Sequence, residues 1–274
     1  MYGMIVFAVF FIFFFELMLS SKGSSVSGKG SGLGGQGRSL TTKVGRSTPQ
    51  PLLVSIEGNI GAGKSTLLDK LRSENPNWIF INEPVGVWSS FRNDANENML
   101  EVFYKDRKRW SYTFQNCALL TRFQNIESAI AERDASDNAS GRVRESESGH
   151  FRQVFVTERC LDTDYQVFTK MLRAEGSIDK LEYDLYECWF TLLKNTSTQL
   201  SAIVHVNTSP EICAERIKQR GREGEDGISI DYLKTLHNYQ CDWVMRGDVP
   251  YIQTNTKGVH EVSTFINGLS FQNE

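Results

Sequence analysis

The sequence predicts an α/β fold, a parallel sheet of five strands with helices on both faces, and three observations carry that prediction. Five short apolar runs alternate with segments of helical periodicity. The first run, Leu52-Leu53-Val54-Ser55-Ile56, does not alternate polar with apolar, which suits a strand buried on both faces. It leads through a glycine-rich loop into Leu67, Leu68 and Leu71, leucines at helical spacing.

That loop, Gly58-Asn59-Ile60-Gly61-Ala62-Gly63-Lys64-Ser65, spells G-x-x-x-x-G-K-S, and Thr66 continues into the helix. Glycines at 58, 61 and 63 permit backbone conformations closed to other residues and turn N–H groups inward, and the start of the next helix adds partial positive charge. The stretch is therefore a phosphate cradle. Lys64 would reach the β- and γ-phosphates and Ser65 would offer its hydroxyl to Mg²⁺. With the strand before and the helix after, the sheet is of the P-loop NTPase type.

Trp78-Ile79-Phe80-Ile81 reads as the second strand, stopped by Pro84, which puts Glu83 at a strand's carboxyl end. Ligands of open α/β sheets collect on that edge. Residues 97 to 133 form an amphipathic helical pattern, with Trp110, Phe114, Cys117, Ala118 and Thr121 on one side, suited to lining a pocket. Residues 134 to 150 are polar and aperiodic and read as an exposed loop. Val154-Phe155-Val156-Thr157 is the third strand, with Glu158-Arg159 at its end. Helices are expected at about 162 to 174 and 179 to 197, and the fourth strand at Ala202 to Val206. After Pro210 a helix runs into the cation-dense Arg216 to Arg222. A helix near 229 to 246, the fifth strand Tyr251-Ile252-Gln253 and a short tail helix complete the alternation.

With 274 residues and 40% hydrophobic content, a single domain over 52–274 can bury a sizeable core. The net charge of −3 conceals five cations and no acid between residues 20 and 56, so the rest of the chain is acidic, which argues against a nucleic-acid binder. Cys117, Cys160, Cys188, Cys213 and Cys241 are odd in number and lack C-x-x-C spacing. They suggest neither a disulfide framework nor a zinc site, and read as buried apolar side chains in a reducing compartment. Residues 1–51 are separate. Met4 to Phe15 is apolar but too short for a stable membrane span, and a Gly/Ser/basic tract follows, so the segment reads as a disordered or organelle-targeting leader. The expected location is mitochondrial or cytoplasmic.

Taken together, Ile56 to Ser65, Glu83-Pro84-Val85 with Trp88, Tyr104-Lys105-Asp106, Phe114-Gln115, Glu158-Arg159 and Arg216 to Gly227 resemble the deoxynucleoside kinases related to deoxycytidine, deoxyguanosine and mitochondrial thymidine kinase. The likeness covers about residues 52 to 246 and rests on order and spacing. It implies transfer of the γ-phosphate of ATP or UTP to the 5′-hydroxyl of a deoxynucleoside, with Mg²⁺. Glu83 then resembles the general base, and a carboxylate at a strand end near the γ-phosphate is what such chemistry requires. Arg159 resembles the residue bridging the 5′-oxygen and the phosphates, and Glu158 resembles a Mg²⁺ ligand, direct or through water. Tyr104 and Glu225 match the pair that holds the 3′-hydroxyl, and Gln115 matches the amide that reads the base edge. Trp88 and Phe114 match pocket walls; ordinary core packing is the alternative for both, and accounts for Phe114 equally well.

Arg122 and Asp164 coincide with a charged pair of the deoxycytidine and deoxyguanosine kinase branch, which implies deoxycytidine or purine deoxynucleosides over thymidine; otherwise they would be a surface pair of little consequence. Arg216, Arg220 and Arg222 match an arginine-rich lid. Cys160 departs from the family's usual Ser, and the family implies a homodimer through helices near 100 to 130 and 160 to 195. Two other readings remain: a P-loop kinase of another acceptor, such as a nucleoside monophosphate, or a non-catalytic nucleotide-binding module. No N-K-x-D segment is present to read guanine, and Lys64, Glu83 and Arg159 are all in place.

Overall fold

The computed structural model describes residues 51–139 and 153–270, all within the compact unit Thr48–Glu274. Residues 1–50 of the predicted leader lie outside the described residues. Five strands, β1 (Leu52–Glu57), β2 (Ile79–Ile81), β3 (Val154–Glu158), β4 (Leu200–Val206) and β5 (Tyr251–Thr254), form one sheet. Its order is β2-β3-β1-β4-β5 and every pairing is parallel, as the alternating pattern predicts. β1 is buried throughout because β3 and β4 flank it and helices cover both faces. The register sets Ile56 beside Glu158 on one side and Val204 on the other, so the carboxyl ends of these strands reach one edge together. Strand order reverses around β1, where a crevice opens in such sheets.

The helices follow in chain order: α1 (Lys64–Glu74), α2 (Val85–Ser90), α3 (Met99–Lys105) and α4 (Arg107–Ala139) come first. α5 (Leu161–Thr163) opens into a π-helical turn, Asp164–Thr169, and continues as α6 (Lys170–Ala174). α7 (Lys180–Thr196), α8 (Pro210–Arg220), α9 (Ile230–Met245) and α10 (Val259–Ser270) complete the set. Successive strand residues face opposite ways, and the core divides accordingly. Val54, Ile56 and Val204 pack with Leu67 and Leu71 of α1, Ile217 of α8 and Ile266 of α10. Ile203 belongs to a second cluster with Phe103 of α3, Phe114 of α4, Met171 of α6 and Leu236 of α9.

Four expectations need correction. The pattern over 97 to 133 is two helices. Asp106 ends α3 at φ −143° and its carboxylate caps the next turn, accepting from Arg109 N at 3.1 Å. Within the expected loop 134–150, residues 134–139 instead prolong the 33-residue α4, since an established helix propagates into a polar segment without an apolar face; residues 140–152 lie outside the described residues. α2 was not foreseen: Pro84 both stops β2 and caps a new helix. The five cysteines are free, but only Cys160 and Cys213 are fully buried and Cys188 is exposed, because it lies on the outer face of α7.

Candidate active site

The phosphate loop sits where the sequence places it, and its shape is fixed by sterics. Gly61 has φ 78°, and a Cβ there would meet Cys213 O at 2.6 Å; Gly63 has φ 100° and lies under the Thr256 methyl. Gly58, Asn59 and Ala62, expected among the phosphate-binding residues, do not line the cavity. Gly58 packs against Val206 O, Ala62 is fully buried, and Asn59 Nδ2 ties the loop to Leu233 O at 2.8 Å. Ile60, Gly61, Gly63, Lys64, Ser65 and Thr66 do line it.

Lys64 is buried. Its Nζ donates to Asn59 O at 3.0 Å and lies 3.7 Å from Glu158 Oε1. Burial, then Arg159, pulls its pKa down to about 8, against the opposing pull of Glu158, Glu83 and Glu57. Ser65 Oγ donates to Glu158 Oε2 at 2.9 Å, so a hydroxyl and a carboxylate converge beside the loop. These are hard oxygen donors, and Mg²⁺ is held by one or two such groups completed by phosphates and water, so the set fits that ion. Among the described residues no cluster of three or more His, Cys, Asp or Glu is arranged to hold a metal.

Across a cavity of about 720 Å³, the acceptor-side residues gather from seven segments of the chain. Glu83, just past β2, accepts from Arg122 Nη2 at 3.2 Å and is ion-paired with Arg159, whose Nε lies 3.2 Å away. Burial raises its pKa, but Arg159, then Arg122 and Lys64, outweigh that and hold it below the ordinary value, so it is a carboxylate at neutral pH. Arg159 adopts φ 64°, rare for a residue with a side chain. Its N–H bonds Ile56 O at 3.2 Å and its carbonyl accepts from Thr157 Oγ1 at 2.9 Å, while its guanidinium lies 4.8 Å from the centre of the Phe168 ring.

The Arg122–Asp164 pair is not on the surface. Both residues are almost fully buried, and Arg122 makes a bidentate contact through Nε at 2.9 Å and Nη2 at 3.3 Å. Its Nη1 bonds Glu158 O at 3.0 Å. The π-helical turn widens the helix at Asp164, a device common at functional sites. Phe114 does two jobs, packing edge-on to Trp88 at 5.3 Å within the core and lining the cavity. Gln115 is buried and its Oε1 has no hydrogen-bond partner, so it can receive an N–H from a ligand.

The lid residues also meet the cavity. Gly224 at φ 86° rests on the backbone of Glu101, and this close approach carries Glu225 toward Tyr104. Burial, then Tyr232 and Glu225, raises the Tyr104 pKa well above its usual value, keeping the phenol a hydrogen-bond donor. Arg220 Nη2 reaches Glu225 Oε2 at 2.5 Å and Arg222 Nη1 reaches Oε1 at 3.1 Å, while Arg216 Nη1 bonds Ala62 O at 2.8 Å. Sequence reasoning missed Phe168, Gln219 and Thr256 around the site, and Glu57 behind it. Glu57 alone left a signal: it is the one charged residue of β1.

The chain matches the family described as deoxynucleoside kinase over residues 54–268. It is 34% identical over 206 residues to deoxycytidine kinase 2 of Gallus gallus, covering 70% of this chain and 73% of the relative. It is 30% identical over 224 residues to deoxycytidine kinase of Homo sapiens, covering 76% and 80%. Against mitochondrial deoxyguanosine kinase of Xenopus laevis it is 29% identical over 219 residues, covering 75% and 78%. With the phosphate loop, the carboxylate facing it and the lid in one cavity, the chain belongs to the deoxynucleoside kinase family, phosphotransferases that act on a deoxynucleoside hydroxyl.

Proposed function

We propose that this enzyme transfers the γ-phosphoryl group of ATP or UTP to the 5′-hydroxyl of a deoxynucleoside, favouring deoxycytidine or a purine deoxynucleoside over thymidine. The observation that carries the reading is the ionised Glu83, held by Arg122 and Arg159 across from Lys64. Glu83 accepts the hydroxyl proton as the oxygen attacks. A strong base is unnecessary, because phosphoryl transfer passes through a loose transition state dominated by positioning and charge. Arg159 and Lys64 steady the charge on the transferring group, and the lid arginines add to it once they leave Glu225. Ser65 and Glu158 would hold Mg²⁺, which neutralises phosphate charge when bound.

Gln115 reads the base edge, Tyr104 and Glu225 hold the 3′-hydroxyl, and Trp88 and Phe114 wall the base. The buried Arg122–Asp164 pair supports the discrimination against thymidine, since it puts a fixed ion pair beside the base in place of room for a methyl group. Several curated relatives are named deoxycytidine kinase or deoxyguanosine kinase, which agrees with that reading. Steady-state rates on the four deoxynucleosides and their monophosphates, with each donor, test it. Thymidine as the best acceptor would refute the preference, and a monophosphate as the best acceptor would refute the reaction.

The kinase domain is assigned to 52–274 and the leader to 1–51; a fluorescent fusion of 1–51 decides between mitochondrial and cytoplasmic residence. A homodimer is supported by an apolar stripe on α7, where Leu181, Leu185 and Trp189 recur every four residues at 69%, 47% and 48% exposure, with Leu120 of α4 also exposed. The double variant L185E/W189E should be a monomer by light scattering where the unmodified enzyme is a dimer. Equal masses would remove the stripe from the interface. Among the described residues no helix is long and apolar enough to cross a membrane.

A further inference from the structure

Glu57 ends β1 one residue before the phosphate loop and is completely buried. A carboxyl in such a place is costly unless it is paired. Its two oxygens are used unequally. Oε1 accepts from Ser55 Oγ at 2.5 Å, from Thr163 Oγ1 and, at 3.7 Å, from Cys160 Sγ. Oε2 receives one long bond, from Gln240 Nε2 at 3.4 Å, and faces Arg159 Nη1 at 4.0 Å. That Nη1 is buried and has no hydrogen-bond partner. The Arg159 guanidinium is thus suspended between two carboxyls, Glu83 on the cavity side and Glu57 on the sealed side.

We propose that Glu57 is a positioning residue that holds Arg159 from behind, keeping it aligned while Glu83 turns to the acceptor hydroxyl. As the proton passes to Glu83, Arg159 loses the counter-charge on its cavity side. Oε2 has unfilled acceptor capacity, and a closure of about 1 Å brings Nη1 into an ordinary hydrogen bond. Burial raises the Glu57 pKa, and Arg159 is the largest of the influences opposing that rise, so the carboxyl and the guanidinium depend on each other.

The inference rests on the role given to Arg159 above, so the test separates the two. Glu57→Gln keeps the shape and removes the charge. Its kcat should fall about 10- to 100-fold with both KM values within about threefold, the pattern of an interaction made only in the transition state. Its Tm should change little, because the pair that is lost is loose, 4.0 Å long, and Arg159 keeps Glu83 as a counter-charge. Arg159→Lys should be crippled by itself, and adding Glu57→Gln to it should cost nothing further, as expected of a residue that acts through Arg159. Should Glu57→Gln not fold, Thr163→Val, which removes a donor that orients Glu57, should show the same split and the same non-additivity. A kcat for Glu57→Gln within about threefold of the unmodified enzyme, full additivity with Arg159→Lys, or a kcat loss that only follows a lower Tm would overturn the proposal. Normal turnover in Arg159→Lys would instead overturn the reading of Arg159.

Discussion

The two halves of the cavity are built on different principles. The phosphate side is one contiguous stretch, residues 58–65, shaped by backbone and by side chains that are absent: a Cβ at Gly61 would strike Cys213 O. The acceptor side is assembled from side chains of elements far apart in sequence: Glu83 after β2, Gln115 and Arg122 on α4, Arg159 after β3, Asp164 in the π-helical turn and Glu225 in the lid. The first half is held by local sterics. The second is held by mutual charge, since Arg122 alone touches Asp164, Glu83 and the Glu158 carbonyl. A change on the phosphate side therefore strains one loop, whereas a change on the acceptor side leaves a distant partner unmatched.

The largest expected effect tests whether the acceptor side carries chemistry or only recognition. Glu83→Gln should lower kcat about 10²- to 10⁴-fold while leaving the donor Kd, measured by equilibrium titration, unchanged. Near-normal turnover would reduce Glu83 to a structural partner of the two arginines. Next is the cost of unmatched charge. Asp164→Asn leaves Arg122 buried with fewer counter-charges and should destabilise the fold by about 3 kcal/mol, the low end for a broken buried pair because Glu83 remains. For a domain of this size that is a Tm lower by roughly 6 to 12 °C. A shift under about 2 °C would mean that the pair is not held by charge.

The same contrast explains what could be read from the chain alone. The strand order of events, the loop and its Lys64 and Ser65 were legible because the glycines, the apolar run before them and the leucines after them are adjacent in sequence. Glu83 was legible through Pro84, which marks the strand end. The acceptor contacts came through resemblance, because no local pattern reveals that Arg122 and Asp164 meet; that depends on how α4 and the π-helical turn pack. Asp106 as a helix break and the polar continuation of α4 were lost for a related reason. A capping carboxylate and a solvated helix end leave the same apolar periodicity as a continuous helix and a loop.

The smallest expected effect sharpens the comparison, because one charge of the phosphate side titrates near working pH. Burial holds Lys64 at about 8, below the unfolded Lys value of roughly 10.4, so the folded state releases this proton first. Between those values the unfolded chain binds more protons, and this group's contribution makes stability rise with pH across that window. Donor phosphates favour the ammonium form, so donor binding must recover the proton above pH 8 and weakens as pH rises. The donor Kd should be flat from about pH 6.5 to 7.5 and increase about five- to tenfold between pH 8 and 9. Lys64→Arg, which cannot lose its charge in this range, should flatten that rise. The acceptor Kd should stay level, because Glu83 is held below the ordinary carboxylate value and Arg122 keeps its charge throughout. An acceptor Kd that moved in step with the donor's would show that Lys64 is electrically part of the charge network across the cavity, and the division between the two halves would then be one of sequence and not of energy.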